Sequence, residues 1–189
     1  VTFPRFNDAW HYDDKVSQEL LFQAIRIKAV PGKVFFRRRE ALKYIDCVDF
    51  PIVTKLASGA GSSNVRLLKD KRSGRRIVNQ MFRLGKHATS PFYFLTEGLR
   101  KAALSSAGVK ALLKGLFLFF RFGLKIERER GYFYCQEFGG GNDCDIRVVV
   151  VGKRAFGFRR MVRVNDFRAS GSGVIDYDFQ NIPLAAVEL

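Results

Sequence analysis

A run of small residues, Ser58-Gly59-Ala60-Gly61-Ser62-Ser63, stands between two short apolar, β-branched runs at 52–56 and 65–68. Lys55 sits near the end of the first run, ahead of the glycines. Such a stretch folds most simply as strand, tight small-residue loop, strand. Small residues let backbone N–H groups converge on an anion with no Cβ in the way, and a lysine beside them adds a compact positive charge. That chemistry suits a polyphosphate, although a plain glycine-serine hairpin has the same local pattern. A Walker A loop is excluded, because its lysine follows the glycines and a helix opens after it, whereas Val65 follows this loop. A GxGxxG dinucleotide fingerprint is excluded as well, since Gly59-Ala60-Gly61 runs into Ser62, Ser63 and Asn64.

With 189 residues, one domain with a real core is expected, and 47% hydrophobic residues including 19 Phe exclude a disordered chain. The three cysteines, Cys47, Cys135 and Cys144, have no CxxC spacing, which argues against a disulfide scaffold or a Cys-rich zinc site and fits a reducing compartment. The net charge of +15 needs an explanation, and nucleic acid is the default partner of so basic a chain. Polyphosphate nucleotides and anionic membranes are the alternatives. No zinc-finger spacing, RRM-type motif or zipper is present, and the basic residues are spread through strands and loops rather than gathered on one reading helix.

Along the chain, 13–28 reads as a helix opened by Asp13 and Asp14, with Val16, Leu20, Ala24 and Ile27 at helical spacing. A strand at 33–36, a short helix at 38–45, strands around the glycine loop and a helix at 73–84 follow. Residues 98–126 are rich in Leu, Phe, Lys and Arg. Lys110, Lys114, Arg121 and Lys125 form a narrow helical stripe beside Leu113, Leu116, Phe117, Phe120 and Leu124. The longest uncharged run there falls well short of the ~20 residues of a membrane span. A helix packed on its own domain is the simpler reading. The other is a basic amphipathic segment on an anionic membrane. Strands at 132–138, 145–151 and 154–164 come next, with a Gly152-Lys153 turn. A loop at 167–173 leads towards 182–189, which read as the opening turn of a helix. The fold class is therefore α+β, partitioned as 1–95, a basic apolar helical insertion at 96–130, and 131–189.

Four separated pieces share one logic: Asp14-Lys15 opening a helix, Lys55 before the loop, Gln136-Glu137-Phe138 closing a strand, and Asp145-Ile-Arg147 followed by a basic hairpin and Asn165-Asp-Phe-Arg168-Ala-Ser170. In order and spacing, over nearly the whole chain, they resemble the ATP-grasp superfamily. The segments VTKLASGAGSSNV, YCQEF…DCDIRVVVVG and NDFRASGSG carry the likeness. The branch most similar contains the glutathione synthetases and the ligase that adds glutamate to a ribosomal protein. The same segments resemble ATP-grasp proteins linked to surface-polysaccharide clusters, a likeness without an established substrate.

The resemblance implies two small α+β subdomains whose antiparallel sheets clamp ATP. Lys15 and Lys55 match the two phosphate-contacting lysines, and Ser58, Gly59, Ala60, Gly61, Ser62 and Ser63 the flexible lid over the phosphates. Gln136, Glu137 and Phe138 match the adenine hinge, read through Gln136 C=O and Phe138 N–H. Asp143 or Asp145 is implied at the ribose. Arg147, Arg159 and Arg168 are implied at the phosphates or the acyl acceptor. The activity implied is carboxylate–amine or carboxylate–thiol ligation through an acylphosphate, with ATP and Mg²⁺ as cofactors and a small-molecule or peptide carboxylate as substrate. Such chemistry asks for positioning and positive charge rather than protein acid–base groups, and the chain has only His11 and His87. The family's Mg²⁺ ligands are expected beyond the position matching Leu189, so no metal ligand is assigned within the chain, and little ligase activity is expected of it alone. The expected location is cytoplasmic, or peripheral to the membrane if 98–126 bind lipid. A basic nucleic-acid-binding module, and an inactive ATP-grasp derivative on a membrane, are the alternatives.

Overall fold

The computed structural model describes residues 10–59, 64–88, 108–121, 127–170 and 172–186. The chain forms two compact units, Val1–Glu137 and Phe138–Leu189. Helices and antiparallel sheets are mixed in the first, in keeping with an α+β class.

The first unit is built on a four-stranded antiparallel sheet of order β1-β6-β2-β3, with β1 at Gly32–Phe35, β2 at Ile52–Thr54, β3 at Arg66–Leu68 and β6 at Phe133–Glu137. The glycine loop joins β2 to β3, which pair with Ile52 opposite Leu68. β6 arrives from far along the chain and inserts between β1 and β2, with Thr54 opposite Cys135 and Lys33 also opposite Cys135. The sequence groups it with 131–189, whereas its strand partners lie in the first unit. A second, two-stranded sheet pairs β4 (Lys86–His87) with β5 (Arg128–Glu129).

Pleating sorts the sheet into two unlike faces. Ile52, Leu68, Phe133 and Cys135 share one face. They form the core with Ala41 and Ile45 of α2 (Arg38–Cys47) and with Ile77, Val78 and Met81 of α3 (Lys71–Met81). The two helices cross closely because position 74 is glycine: a Cβ there would lie 2.9 Å from Ile45 Cδ1. α3 opens two residues earlier than its apolar pattern predicts. Asp70 and Ser73 form a capping box, with Ser73 N–H donating to the Asp70 carboxylate at 2.7 Å.

The opposite face carries Val53, Tyr134 and Gln136, and α1 (Lys15–Ala24) covers it. Asp14 caps α1 by accepting Val16 and Ser17 N–H, both at 3.0 Å. The helix stops before Arg26, which has a left-handed φ of 56°. The apolar spacing that marks α1 as a helix is not its inward stripe. Leu20 is 43% exposed and Ile27 51%, whereas Glu19 is 5% exposed. The sheet face beneath is polar, so the polar stripe of the helix docks there. Helix α4 (Gly108–Arg121) turns Gly115 inward and leaves Leu113, Leu116, Phe117 and Phe120 exposed beside exposed Lys110 and Lys114. Leu124 and Lys125 lie outside the described residues. No helix among the described residues is long and apolar enough to cross a membrane.

The second unit is a three-stranded antiparallel sheet, β7 (Cys144–Val151), β8 (Arg154–Met161) and β9 (Ile175–Asp176). Gly152-Lys153 closes the β7–β8 hairpin with Val151 opposite Arg154, and Gly152 takes the positive φ of 60° that such a turn needs. Two 3₁₀ turns, Phe179–Asn181 and Leu184–Ala186, follow, where a helical opening was expected at 182–189.

Candidate functional site

The polar face of the first sheet is organised around a relay of buried and half-buried groups. The Lys55 ammonium donates to Gln136 Oε1. Gln136 Nε2 donates to Glu19 Oε2 at 3.2 Å, and Tyr134 OH donates to the same oxygen at 3.1 Å. Gln23 Nε2 donates to Glu19 Oε1 at 2.9 Å and to Gly32 O at 3.0 Å. A glycine at 32 is required for this packing, because a Cβ there would sit 2.2 Å from Glu19 Oε2. Burial lowers the pKa of Lys55, and the nearby positive charge of Lys15 lowers it further, while Glu19 opposes both. Burial pushes the Tyr134 hydroxyl up, and Glu19 adds to the rise, so it stays a donor.

Lys15 approaches from the first turn of α1. Its Nζ donates to Gly59 O at 2.8 Å and to Ala57 O at 3.4 Å, and its backbone N–H donates to Ala57 O at 2.9 Å. The start of α1 is thereby tied to the start of the glycine loop. Asn64 closes the other side of the described loop, donating to Ser58 O at 3.1 Å and Ala88 O at 2.6 Å. Ala57 N–H donates to Glu129 Oε2 at 2.9 Å and to the Tyr132 oxygen at 2.7 Å, and Ser58 N–H donates to Glu129 Oε1 at 3.2 Å. Ser58 and Tyr132 hydroxyls donate to the same carboxylate. These groups border a cavity of about 450 Å³ lined also by Asp14, Arg128 and Arg130.

Lys15, Lys55, Ser58, Gly59 and Gln136 thus come together around one loop on one sheet face. Ala60, Gly61, Ser62 and Ser63 lie outside the described residues. Gln136 and Glu137 point to opposite faces. Gln136 joins the lysine relay, whereas Glu137 shares the core-side register with Ile52 and contributes to holding the Tyr44 hydroxyl up at about 12, after burial and Cys135.

In the second unit Phe138 packs edge-on against Phe167, ring centroids 5.6 Å apart. Asp143 is exposed, and its carbonyl accepts Val162 N–H at 2.9 Å. Asp145 is held by Arg160, whose Nε lies 2.7 Å away. Arg159 grips Asp176 at 3.1 and 2.6 Å, and Arg168 grips Asp166 at 2.9 and 2.6 Å. Arg147 is exposed opposite Phe158, on the face that carries Asp145 and Arg160, while Arg159 pairs with Ile146 on the other face. Arg147 and Arg159 therefore project from opposite sides of one sheet.

Glu19, Gln23, Tyr132 and Glu129 escaped the sequence reading. Glu19 and Gln23 had a signal: with Lys15 they form an i, i+4, i+8 polar stripe on one helix face. Glu129 had none, because it reaches the loop from 71 residues away.

No family model matches the chain, and no curated protein does. Among solved structures it is similar to the crystal structure of D-alanine-D-alanine ligase from Helicobacter pylori, at 12% identity and a TM-score of 0.42. The match covers 98% of this chain and 42% of that one, so the chain spans less than half the length of the ligase.

Proposed function

We propose that the chain holds a nucleoside triphosphate as part of an ATP-dependent carboxylate ligase of the ATP-grasp kind. The observation that carries this reading is the meeting of Lys15 and Lys55 at the head of the small-residue loop, on the sheet face opposite the hydrocarbon core. Two ammonium groups beside the head of a small-residue loop suit the β- and γ-phosphates. Lys15 opens α1, and Lys55 directly follows β2 with its N–H donating to Tyr134 O at 3.4 Å, so regular elements position both backbones before ligand binds.

In this reading Lys15 and Lys55 neutralise charge spreading over the transferred phosphoryl group while a substrate carboxylate attacks it. ADP leaves, and an amine or thiol then attacks the acylphosphate carbonyl and displaces inorganic phosphate. The resemblance assigns the adenine edge to Gln136 and Phe138, the ribose to Asp143 or Asp145, and the phosphates or acyl acceptor to Arg147, Arg159 and Arg168; because Arg147 and Arg159 leave opposite sides of one sheet, at most one of these two meets any one ligand. Surface-polysaccharide or peptide modification is the setting the resemblance suggests. Among the described residues no group of three or more His, Cys, Asp or Glu converges on a point that could hold a metal ion. Mg²⁺ takes carboxylates with phosphates, and the described residues offer no such carboxylate cluster.

Calorimetry with ATP, and with AMP and GTP as controls, tests the reading. ATP should bind better than AMP, and Lys55→Ala should weaken it by about 1–3 kcal/mol, as for a charge-assisted contact. Equal binding of ATP by the wild type and Lys55→Ala removes Lys55 from the site.

A second reading draws on a groove of about 430 Å³ lined by Arg66, Arg72 and Arg76 with Asp70 and Ser73. Nucleic-acid binding there would show a steep fall of affinity with salt that the three arginines set.

A further inference from the structure

The Glu129 carboxylate occupies an anion seat. Its two oxygens accept four donors from three residues: Ala57 N–H and Tyr132 OH on Oε2, Ser58 N–H and Ser58 OH on Oε1. Two consecutive peptide N–H groups aimed at one anion make a concave nest, the arrangement backbones use to bind phosphate oxygens. The nest is at the head of the small-residue loop. Its carbonyl side is held by a cation: Lys15 takes Ala57 O and Gly59 O. The same short stretch is gripped by an internal cation on its oxygens and an internal anion on its nitrogens. The donors are all saturated within the protein, Ala57 N–H by the Tyr132 oxygen at 2.7 Å as well, so an incoming phosphate reaches the pair only when Glu129 leaves and Tyr132 yields its share of Ala57 N–H. Leaving is sterically open, because the cavity beside Glu129 is about 450 Å³ and bordered by Arg128 and Arg130.

We propose that Glu129 is a resident competitor for the polyphosphate seat at Ala57 and Ser58, so that phosphate binding exchanges one anion for another. The proposal rests on the phosphate-binding reading of the loop. The apparent affinity of a seat that is mostly filled falls by the fraction left open, so removing a competitor present in nine molecules of ten tightens binding about tenfold. Gln at position 129 cannot replace the carboxylate, since its NH₂ group would face N–H and O–H donors. Asp is one methylene too short to reach both peptides.

The probe is inorganic tripolyphosphate, titrated calorimetrically at fixed ionic strength into the whole chain as wild type, Glu129→Gln, Glu129→Asp, Tyr132→Phe and Lys55→Ala. Thermal melts confirm that each variant is folded. Glu129→Gln should bind about tenfold tighter or more, and Glu129→Asp should also tighten. Tyr132→Phe removes one donor without changing charge. It should tighten binding by a smaller factor, and it keeps the test open if position 129 tolerates no change. Unchanged or weaker binding in folded Glu129 variants, alongside wild-type binding that Lys55→Ala reduces, overturns the competition and leaves the phosphate reading standing. No binding by any variant at millimolar tripolyphosphate overturns both.

Discussion

Glu19 of α1 and Lys55 at the end of β2 are joined through a single amide. Gln136 Nε2 donates a hydrogen bond to the Glu19 carboxylate at 3.2 Å, and Gln136 Oε1 accepts one from the Lys55 ammonium. The amide matches an anion to a cation across the sheet face and spares both from an unpaired burial. Replacing Gln136 with Leu keeps the volume but removes donor and acceptor together. Loss of such contacts between buried charged groups costs about 1–3 kcal/mol. Chemical denaturation should show that loss, with Gln136→Glu failing to rescue because it would set a second carboxylate against Glu19.

The packing of Glu19 over β1 gives a separate test. Gly32→Ala places a methyl 2.2 Å from Glu19 Oε2, so the carboxylate or the strand must move. Overpacking of this kind costs about 1–3 kcal/mol. Glu19→Ala removes the obstacle. The double variant should lose less than the two single losses added together, and a double-mutant cycle measures the coupling. Strict additivity would remove the contact from the account.

Binding of ATP should depend on pH through Lys55. Burial and the neighbouring Lys15 hold its pKa below the usual lysine range, so its charge is lost at a lower pH than for an exposed lysine. ATP affinity should fall as pH rises through that lowered value. Lys55→Arg should keep affinity flat over the same range, because a guanidinium stays protonated. A wild-type affinity as flat as the arginine variant's contradicts Lys55 as the titrating contact.

Stability should rise with pH because of Lys86. Burial, with a contribution from Arg66, lowers its pKa to about 8. The unfolded chain keeps the ordinary higher value, so between the two the unfolded state binds more protons than the native one. Stability therefore increases as pH climbs from about 8 towards the usual lysine range. Urea midpoints at pH 7, 8 and 9 should climb in the wild type. In Lys86→Met they should climb less.

Much of the local structure is written in the sequence. The Asp14 cap, the strands on either side of the small-residue loop and the Gly152 turn follow from side-chain chemistry within a few residues, where short-range sterics and hydrogen bonding decide. Lys15, which the order of motifs set beside Lys55 and that loop, bonds to Ala57 O and Gly59 O. Three things were not legible. β6 inserts between β1 and β2, α1 turns Glu19 inward and leaves Leu20 outside, and Glu129 fills the nitrogen side of the loop. Each is a choice between partners far apart in sequence. A helical periodicity reveals an amphipathic helix but not which of its stripes meets the fold; that depends on what the other surface offers. Here the surface was a polar sheet face made by residues more than a hundred positions away, and only the assembled tertiary structure could set Tyr134 and Gln136 against Glu19.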